Sequence, residues 1–140
     1  TGLEAEGATR VQGFDVTAAL TFADTEITQS NTAAEIGRRL EGAPNRQASM
    51  FVARTFPLTD AVSLRLGGGV RYVGAVMSGD VRTPGYTVGD AYAALGWEDW
   101  LFSINATNVT DKRYYSSCLA RGDCFLGVRR TVVATVRRQF

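Results

Sequence analysis

Apolar and polar side chains alternate along most of this chain, and in the last fifteen residues, Leu126 to Phe140, the alternation is clear from Val132. Valine and alanine side chains share one face of this run with the terminal Phe140, and mainly threonine, arginine and glutamine lie on the other. A period of two residues predicts a β-strand. An aromatic residue at the end of such a row is typical of a lipid-facing strand, where flanking Arg130 and Arg138 can reach head groups. The last strand of a soluble sandwich is the alternative for this segment.

The same alternation predicts six further strands and an all-β chain. They run from Gly2 to Gly7, Val11 to Ile27, Arg46 to Phe56, Ala61 to Val76, Gly85 to Trp97 and Trp100 to Val109. The first of these is short and partial, whereas the second, at 17 residues, is longer than an ordinary strand. A turn of helix is predicted only around Ala33 to Arg39.

The predicted connections alternate between short and long. Short ones lie at Ala8 to Arg10, Pro57 to Asp60 and Glu98 to Asp99, and longer ones at Thr28 to Asn45, Met77 to Pro84 and Thr110 to Phe125. Because successive hairpins of an antiparallel sheet point to opposite ends, all short turns should lie at one end and all long loops at the other. Short periplasmic turns and longer extracellular loops characterise an antiparallel transmembrane β-barrel of the outer membrane. The polar rows would then face a wet interior.

Seven strands do not close a bacterial single-chain barrel, which has an even number of strands. An open sheet would leave two edges unpaired in hydrocarbon, where each orphan backbone group costs several kcal/mol. We therefore expect residues 1–140 to form the C-terminal part of a larger barrel, and the partial first strand agrees with this.

Composition argues against several other classes of protein. The formal net charge is +1 and the basic residues are scattered, so no nucleic-acid partner is expected. No apolar run reaches the roughly 18 residues of a spanning helix, and the first ten residues lack a secretory signal, as in a mature piece or a fragment. The chain has no histidine for general-base work and no phosphate-binding glycine loop before a helix. We expect no enzyme and no catalytic residues.

The second half of the chain resembles the C-terminal end of the TonB-dependent outer-membrane receptors. The resemblance rests on PGYTVGD at Pro84 to Asp90, NATNVTDKRYY at Asn105 to Tyr115, the pair Cys118 and Cys124, then Gly127, Arg130 and the terminal Phe140, a barrel C-terminal signature. Gly2 to Glu6 and Gly42 to Asn45 also fit earlier strands of that family. The ferric-siderophore branch is the most similar, especially ferrichrome-type receptors, which carry a cysteine pair with this spacing in the last extracellular loop.

The resemblance implies a barrel of about 22 strands, of which this chain would be roughly strands 16 to 22, preceded by a plug domain that is absent from this sequence. It implies a receptor and transporter for ferric siderophores in the bacterial outer membrane, energised through TonB. The expected partners are the ferric siderophore, the receptor's own plug, the TonB inner-membrane complex, outer-membrane lipid and the barrel assembly machinery. The ferric siderophore is the transported ligand, and no cofactor is expected to bind directly.

The two cysteines should lie in a loop that faces the oxidising exterior, which favours a disulfide between Cys118 and Cys124. Closing so small a ring would contribute about 2 kcal/mol at most through loop entropy, so its main role would be to shape the loop tip. A metal site at this pair is not expected, because the chain has no histidine and no second cysteine pair.

Tyr114, Tyr115, Leu119 and Phe125 flank the same loop and are the candidate ligand-binding residues. Aromatic rings would give apolar contact and tyrosine hydroxyls would orient the ligand; an aromatic belt at the outer interface is the alternative. In ferrichrome-type receptors the position after the first loop cysteine can approach ligand, and Leu119 departs from the bulky aromatic expected there. Arginines on the wet faces could attract anionic chelates or pair with plug carboxylates: Arg65, Arg71, Arg129 and Arg137.

Two other kinds of barrel are kept as alternatives. One is a general porin-like barrel, and the other is a soluble lipocalin-like carrier of a small molecule. A soluble carrier would turn the apolar row of Phe14, Leu20, Leu66 and Ile104 inward, whereas a membrane barrel turns it outward.

Overall fold

The computed structural model describes residues 1–139, and its regular secondary structure is almost all β-strand. The strands are β1 (Gly2–Val11), β2 (Phe14–Ala23), β3 (Arg46–Pro57), β4 (Val62–Val73), β5 (Val76–Ser78), β6 (Val81–Thr83), β7 (Tyr86–Trp97), β8 (Trp100–Thr107), β9 (Tyr115–Cys118), β10 (Cys124–Leu126) and β11 (Thr131–Arg138). One 3₁₀ turn, Ala33–Glu35, lies where a turn of helix was predicted. Within residues 1–139, no helix is long and apolar enough to span a membrane.

Seven of these strands form one open antiparallel sheet, in the order β1-β2-β3-β4-β7-β8-β11. Every strand pairs with its neighbour along the chain except where the small β5–β6 and β9–β10 hairpins intervene. β1 and β11 are the edges of this sheet. The predicted seven-stranded antiparallel sheet is therefore confirmed. Phe140 lies outside the described residues.

The first hairpin differs from the prediction. β1 is a full ten-residue strand rather than a partial one, and it turns at Gln12 and Gly13 instead of at residues 8–10. Both turn residues have positive φ, 50° and 81°, as in the two-residue turns whose twist suits a hairpin. The ladder continues past the predicted turn, and Arg10 Nε donates to Asp15 Oδ1 across it at 2.6 Å.

Three long loops, residues 24–45, 74–85 and 108–130, lie at the end of the sheet opposite the short turns, as predicted. The second of these long loops contains the β5–β6 hairpin and the third contains the β9–β10 hairpin, neither of which was predicted. The third loop extends beyond its predicted end at Phe125, and the last strand begins at Thr131, next to Val132 where the alternation begins.

The register separates one apolar face from one polar face. The apolar face carries Phe14, Val16, Leu20, Met50, Val52, Leu66, Val70, Ile104, Val132 and Val136. The polar face carries Asp15, Thr17, Ser49, Arg65, Arg71, Asp90, Asn105 and Thr135. A groove of about 650 Å³ is lined in part by Thr17, Ser49, Arg71 and Asp90 of the polar face.

The apolar face is exposed rather than packed into a core. Val70, Ile104 and Val132 keep 40%, 51% and 60% of their surface accessible. An exposed apolar face this extensive needs a covering, and lipid supplies it for a barrel wall. The arrangement agrees with the outward apolar row of a membrane barrel and disagrees with a soluble carrier that buries the same row.

Candidate functional site

The three long loops are joined to one another by hydrogen bonds. Glu41 of the first loop accepts from the backbone N–H of Gly79 in the second at 2.8 Å, and from the Ser78 hydroxyl at 3.5 Å. The second loop is joined to the third where the buried backbone N–H of Cys118 donates to Thr83 Oγ1 at 2.8 Å. The loops therefore form one interlocked layer rather than three independent segments.

The predicted disulfide between Cys118 and Cys124 is confirmed. The two cysteines lie directly opposite each other in the β9–β10 ladder. Beyond them the chain turns tightly, with the N–H of Gly122 donating to the Leu119 carbonyl at 2.9 Å and Gly122 at φ 98°. The disulfide thus closes the hairpin at the tip of the third loop.

A cavity of about 490 Å³ lies at the base of the third loop, where it meets the start of β7. Its lining is Pro84, Gly85, Tyr86, Lys112, Arg113, Tyr114, Tyr115, Leu126, Gly127 and Arg129. The ring of Tyr114 stacks on that of Tyr86 with centroids 4.0 Å apart. The same ring lies against Gly127 so closely that a Cβ at Gly127 would overlap it. Glycine is therefore required for this placement of the tyrosine.

The four predicted ligand-binding residues do not lie together. Tyr114 and Tyr115 line the cavity, whereas Leu119 and Phe125 are not among its lining residues. Leu119 belongs to the tip turn, and Phe125 pairs with Ser117 in the hairpin and is half exposed. The structure thus brings the two tyrosines to one cavity, and ligand binding by any of the four stays a prediction.

Asn108 fastens the third loop to the sheet, a role that the sequence analysis missed. It is 2% exposed and has φ 50°, a conformation that asparagine adopts more readily than most residues. Its amide nitrogen donates to the carbonyls of Lys112 at 2.9 Å and Val128 at 3.1 Å, and its amide oxygen accepts from the Lys112 N–H at 2.9 Å. Its own N–H donates to Asp90 Oδ1 at 3.0 Å. One side chain therefore joins both arms of the loop.

Three of the four arginines singled out from the sequence have carboxylate partners within the chain. Arg71 Nε lies 2.7 Å from Asp90 Oδ2, and Arg65 Nη1 lies 2.7 Å from Asp15 Oδ2. Arg129 forms the third pair, with Asp111. Arg137 lies on the polar face of β11. Asp15 is shared by Arg65 and Arg10, so the charges of that group do not cancel, whereas Arg71 and Arg129 each have a carboxylate partner of their own.

The ion pair between Arg129 and Asp111 in the third loop has a strong effect on the pKa of its carboxyl group. The Arg129 guanidinium donates to Asp111 and holds the pKa of that carboxyl well below its usual range, and the Arg130 backbone N–H adds to the effect. Asp111 is therefore ionised at neutral and mildly acidic pH. Lys112 and Arg113 also line the cavity, and neither forms an ion pair among the described residues.

An antiparallel sheet with an exposed apolar face, short turns at one end and interlocked loops at the other is a segment of an outer-membrane β-barrel. Residues 1–109 match the family described as TonB dependent receptor-like, beta-barrel. The chain belongs to this family, whose members are receptors in the outer membrane of Gram-negative bacteria.

Named relatives are siderophore receptors. The ferrioxamine B receptor of Salmonella typhimurium (strain LT2) is 33% identical over 131 residues, which cover 88% of this chain and 18% of the receptor. The ferrichrome outer membrane transporter/phage receptor of Escherichia coli (strain K12) is 30% identical over 134 residues, 90% of this chain and 18% of the relative. This chain spans less than a fifth of the length of either.

Solved structures show the same fold. The ferric preacinetobactin receptor of Acinetobacter baumannii superposes with a TM-score of 0.85 at 21% identity, covering 96% of this chain and 21% of the receptor. The closed form of the ferric-catecholate import receptor of E. coli K12 gives a TM-score of 0.72 at 23% identity, covering 99% of this chain and 20% of that receptor. The resemblance to both shows the fold of a barrel wall.

Proposed function

We propose that the protein containing this chain is an outer-membrane receptor and transporter for ferric siderophores, energised through TonB. In this proposal residues 1–140 are the C-terminal part of its barrel and supply wall and extracellular loops. The main support for this proposal is the layer of interlocked loops with its tyrosine-lined cavity. This layer lies at one end of a sheet that matches the receptor family. The relatives named for ferrioxamine and ferrichrome support an iron chelate as the cargo.

In this proposal the two faces of the sheet and the long loops have different roles. The apolar face anchors the wall in lipid, and the polar face leaves a wet lumen for the plug. Tyr114 and Tyr115 offer ring surface and hydroxyls to a chelate, and Lys112 and Arg113 offer positive charge. The ferric siderophore is transported ligand, and the plug and the TonB complex drive its passage.

Iron uptake tests the proposal directly. The full-length receptor is expressed in a Gram-negative strain lacking its own siderophore receptors, and uptake of ⁵⁵Fe is measured from hydroxamate, catecholate and carboxylate chelates, with and without tonB. We expect uptake from at least one chelate, abolished without tonB. No uptake from any chelate, with the receptor folded in the outer membrane by heat-modifiable gel migration, would overturn the proposal.

The cavity is tested by substituting lining residues whose side chains form no hydrogen bond or ion pair within residues 1–139. Replacing Lys112 and Arg113 by glutamine, or Tyr115 by alanine, should raise the chelate concentration for half-maximal uptake by about five-fold per lost contact. Arg121→Gln is the matched control, because Arg121 lies at the loop tip and pairs with Asp123 outside the cavity. Equal behaviour of control and cavity variants would remove the cavity from the proposal.

A further inference from the structure

An arginine interrupts the apolar face of β3 near the short-turn end of the sheet. Arg54 lies on the same face as Met50 and Val52, directly opposite Phe14 on β2 and Leu66 on β4. A guanidinium on the lipid-facing side of a barrel wall is costly unless its charge reaches the interface or meets an acceptor.

The side chain of Arg54 is directed to the short-turn end. Its Nε lies 3.8 Å from the position a Cβ would take on Gly13, which is in the turn between β1 and β2. Its Cζ lies 4.9 Å from the ring centroid of Phe14 and 5.1 Å from that of Phe56. Two phenyl rings therefore hold the guanidinium at the rim of the apolar face through cation–π contacts.

The N–H groups of Arg54 lack an acceptor within the part of the chain that the structure describes: no hydrogen bond or ion pair of this side chain is present there. Guanidinium carries five donors in a planar fork that matches phosphate oxygens in pairs. At the short-turn end of an outer-membrane barrel, the side facing the periplasm, the acceptors at this depth are the phosphate groups of phospholipids.

We propose that Arg54, flanked by Phe14 and Phe56, binds the phosphate diester of a phospholipid in the periplasmic leaflet. The two rings pack beside the acyl chains, and the guanidinium N–H groups of Arg54 donate to the phosphate oxygens. Another arginine lies over an aromatic ring on the same face and at the same end, with Arg138 Cζ 5.2 Å from the Trp100 centroid. The site is at the opposite end of the sheet from the cavity proposed for siderophores, so the two proposals can fail separately.

Lipid retention by the purified full-length receptor tests this site. Phosphatidylglycerol is titrated into the receptor in mild detergent, and bound lipid is counted by native mass spectrometry. Arg54→Gln should weaken retention of the tightest lipid by about ten-fold, and Arg54→Lys should lose most of it because an ammonium cannot bind in a fork. Arg46→Gln is the matched control, since Arg46 lies on the same face of β3 at the loop end.

Three further ligands identify the recognised group. Phosphatidylethanolamine should be retained, diacylglycerol should not, and inorganic phosphate should compete weakly because it lacks the acyl chains. Equal retention of diacylglycerol, or equal lipid loss in Arg54→Gln and Arg46→Gln, would overturn the proposal. If Arg54→Gln does not fold, Phe56→Leu removes one ring while keeping apolar bulk, and it must lower phosphatidylglycerol retention for the proposal to stand. Siderophore uptake should be unchanged in Phe56→Leu.

Discussion

At the scale of single residues, the base of the third long loop depends on the absence of one side chain. The Tyr114 ring occupies the space that a Cβ of Gly127 would need, and it stacks there on Tyr86. We predict that Gly127→Ala displaces Tyr114 and destabilises the folded receptor by about 1–3 kcal/mol, the usual cost of overpacking. Denaturant unfolding of the full-length receptor in micelles measures this change.

Gly7→Ala is the matched control for that substitution. Gly7 lies in β1 rather than in a loop, and nothing is within 4 Å of the position its Cβ would take. Equal stability of the two variants would show that the Tyr114 ring moves aside without cost, and the tyrosine pair would then not be fixed by Gly127.

The residue-level chemistry was only partly predictable from the sequence. Tyr114 and Tyr115 could be found because they end a motif that resembles a known family. The role of Asn108 could not, because its partner Asp90 is 18 residues away and meets it only through the register of β7 and β8. Its sequence context is an ordinary N-x-T triplet that carries no sign of burial.

At the scale of elements, the β9–β10 hairpin is held by the disulfide and by one buried hydrogen bond to β6. The Cys118–Cys124 ring is small, so loop entropy limits its contribution to about 2 kcal/mol. We predict that replacing both cysteines by serine lowers stability by no more than this amount, yet markedly speeds proteolysis after Arg121 at the exposed tip. Trypsin cleavage rates and denaturant unfolding give the two measurements.

The control for the hairpin keeps the disulfide and removes the hydrogen bond between Cys118 and Thr83. Thr83→Val deletes the hydroxyl that accepts from the Cys118 N–H and leaves that buried donor without its partner. It should loosen the hairpin from β6 while the tip stays closed, so cleavage at Arg121 should rise less than in the double serine variant. Faster cleavage at Arg121 in Thr83→Val than in the double serine variant would show that the hydrogen bond to Thr83, and not the disulfide, keeps the tip ordered.

Periodicity located the strands where they are long. It misplaced the strand ends where the turn residues set the boundary. The alternation located β3, β4, β7 and β8 to within a few residues. It misplaced the first turn, because Gln12–Gly13 offers only one glycine and the ladder runs unbroken through Arg10 to Asp15. The short β5–β6 and β9–β10 hairpins were missed because strands of three or four residues are too short to show a period.

At the scale of the whole molecule, alternation assigns one face of the sheet to lipid and the other to the lumen, and neighbouring residues of one strand can test that assignment. Met50 lies on the apolar face, 49% exposed, and Ser49 on the polar face of the same strand. Both are about midway along β3. A charged residue on the lipid face near the midplane costs about 2–4 kcal/mol, whereas the lumen side hydrates the same charge.

We predict that Met50→Arg lowers the free energy of unfolding of the full-length receptor in phospholipid vesicles by about 2–4 kcal/mol, and that Ser49→Arg changes it by less than about 1 kcal/mol. Urea titration of the heat-modifiable folded band measures both. Both variants place an arginine side chain at nearly the same depth of one strand, so the difference between them reports which face meets lipid. Equal losses of stability would show that the apolar face of β3 does not meet lipid at this depth. A larger loss for Ser49→Arg would show that the polar face meets lipid instead.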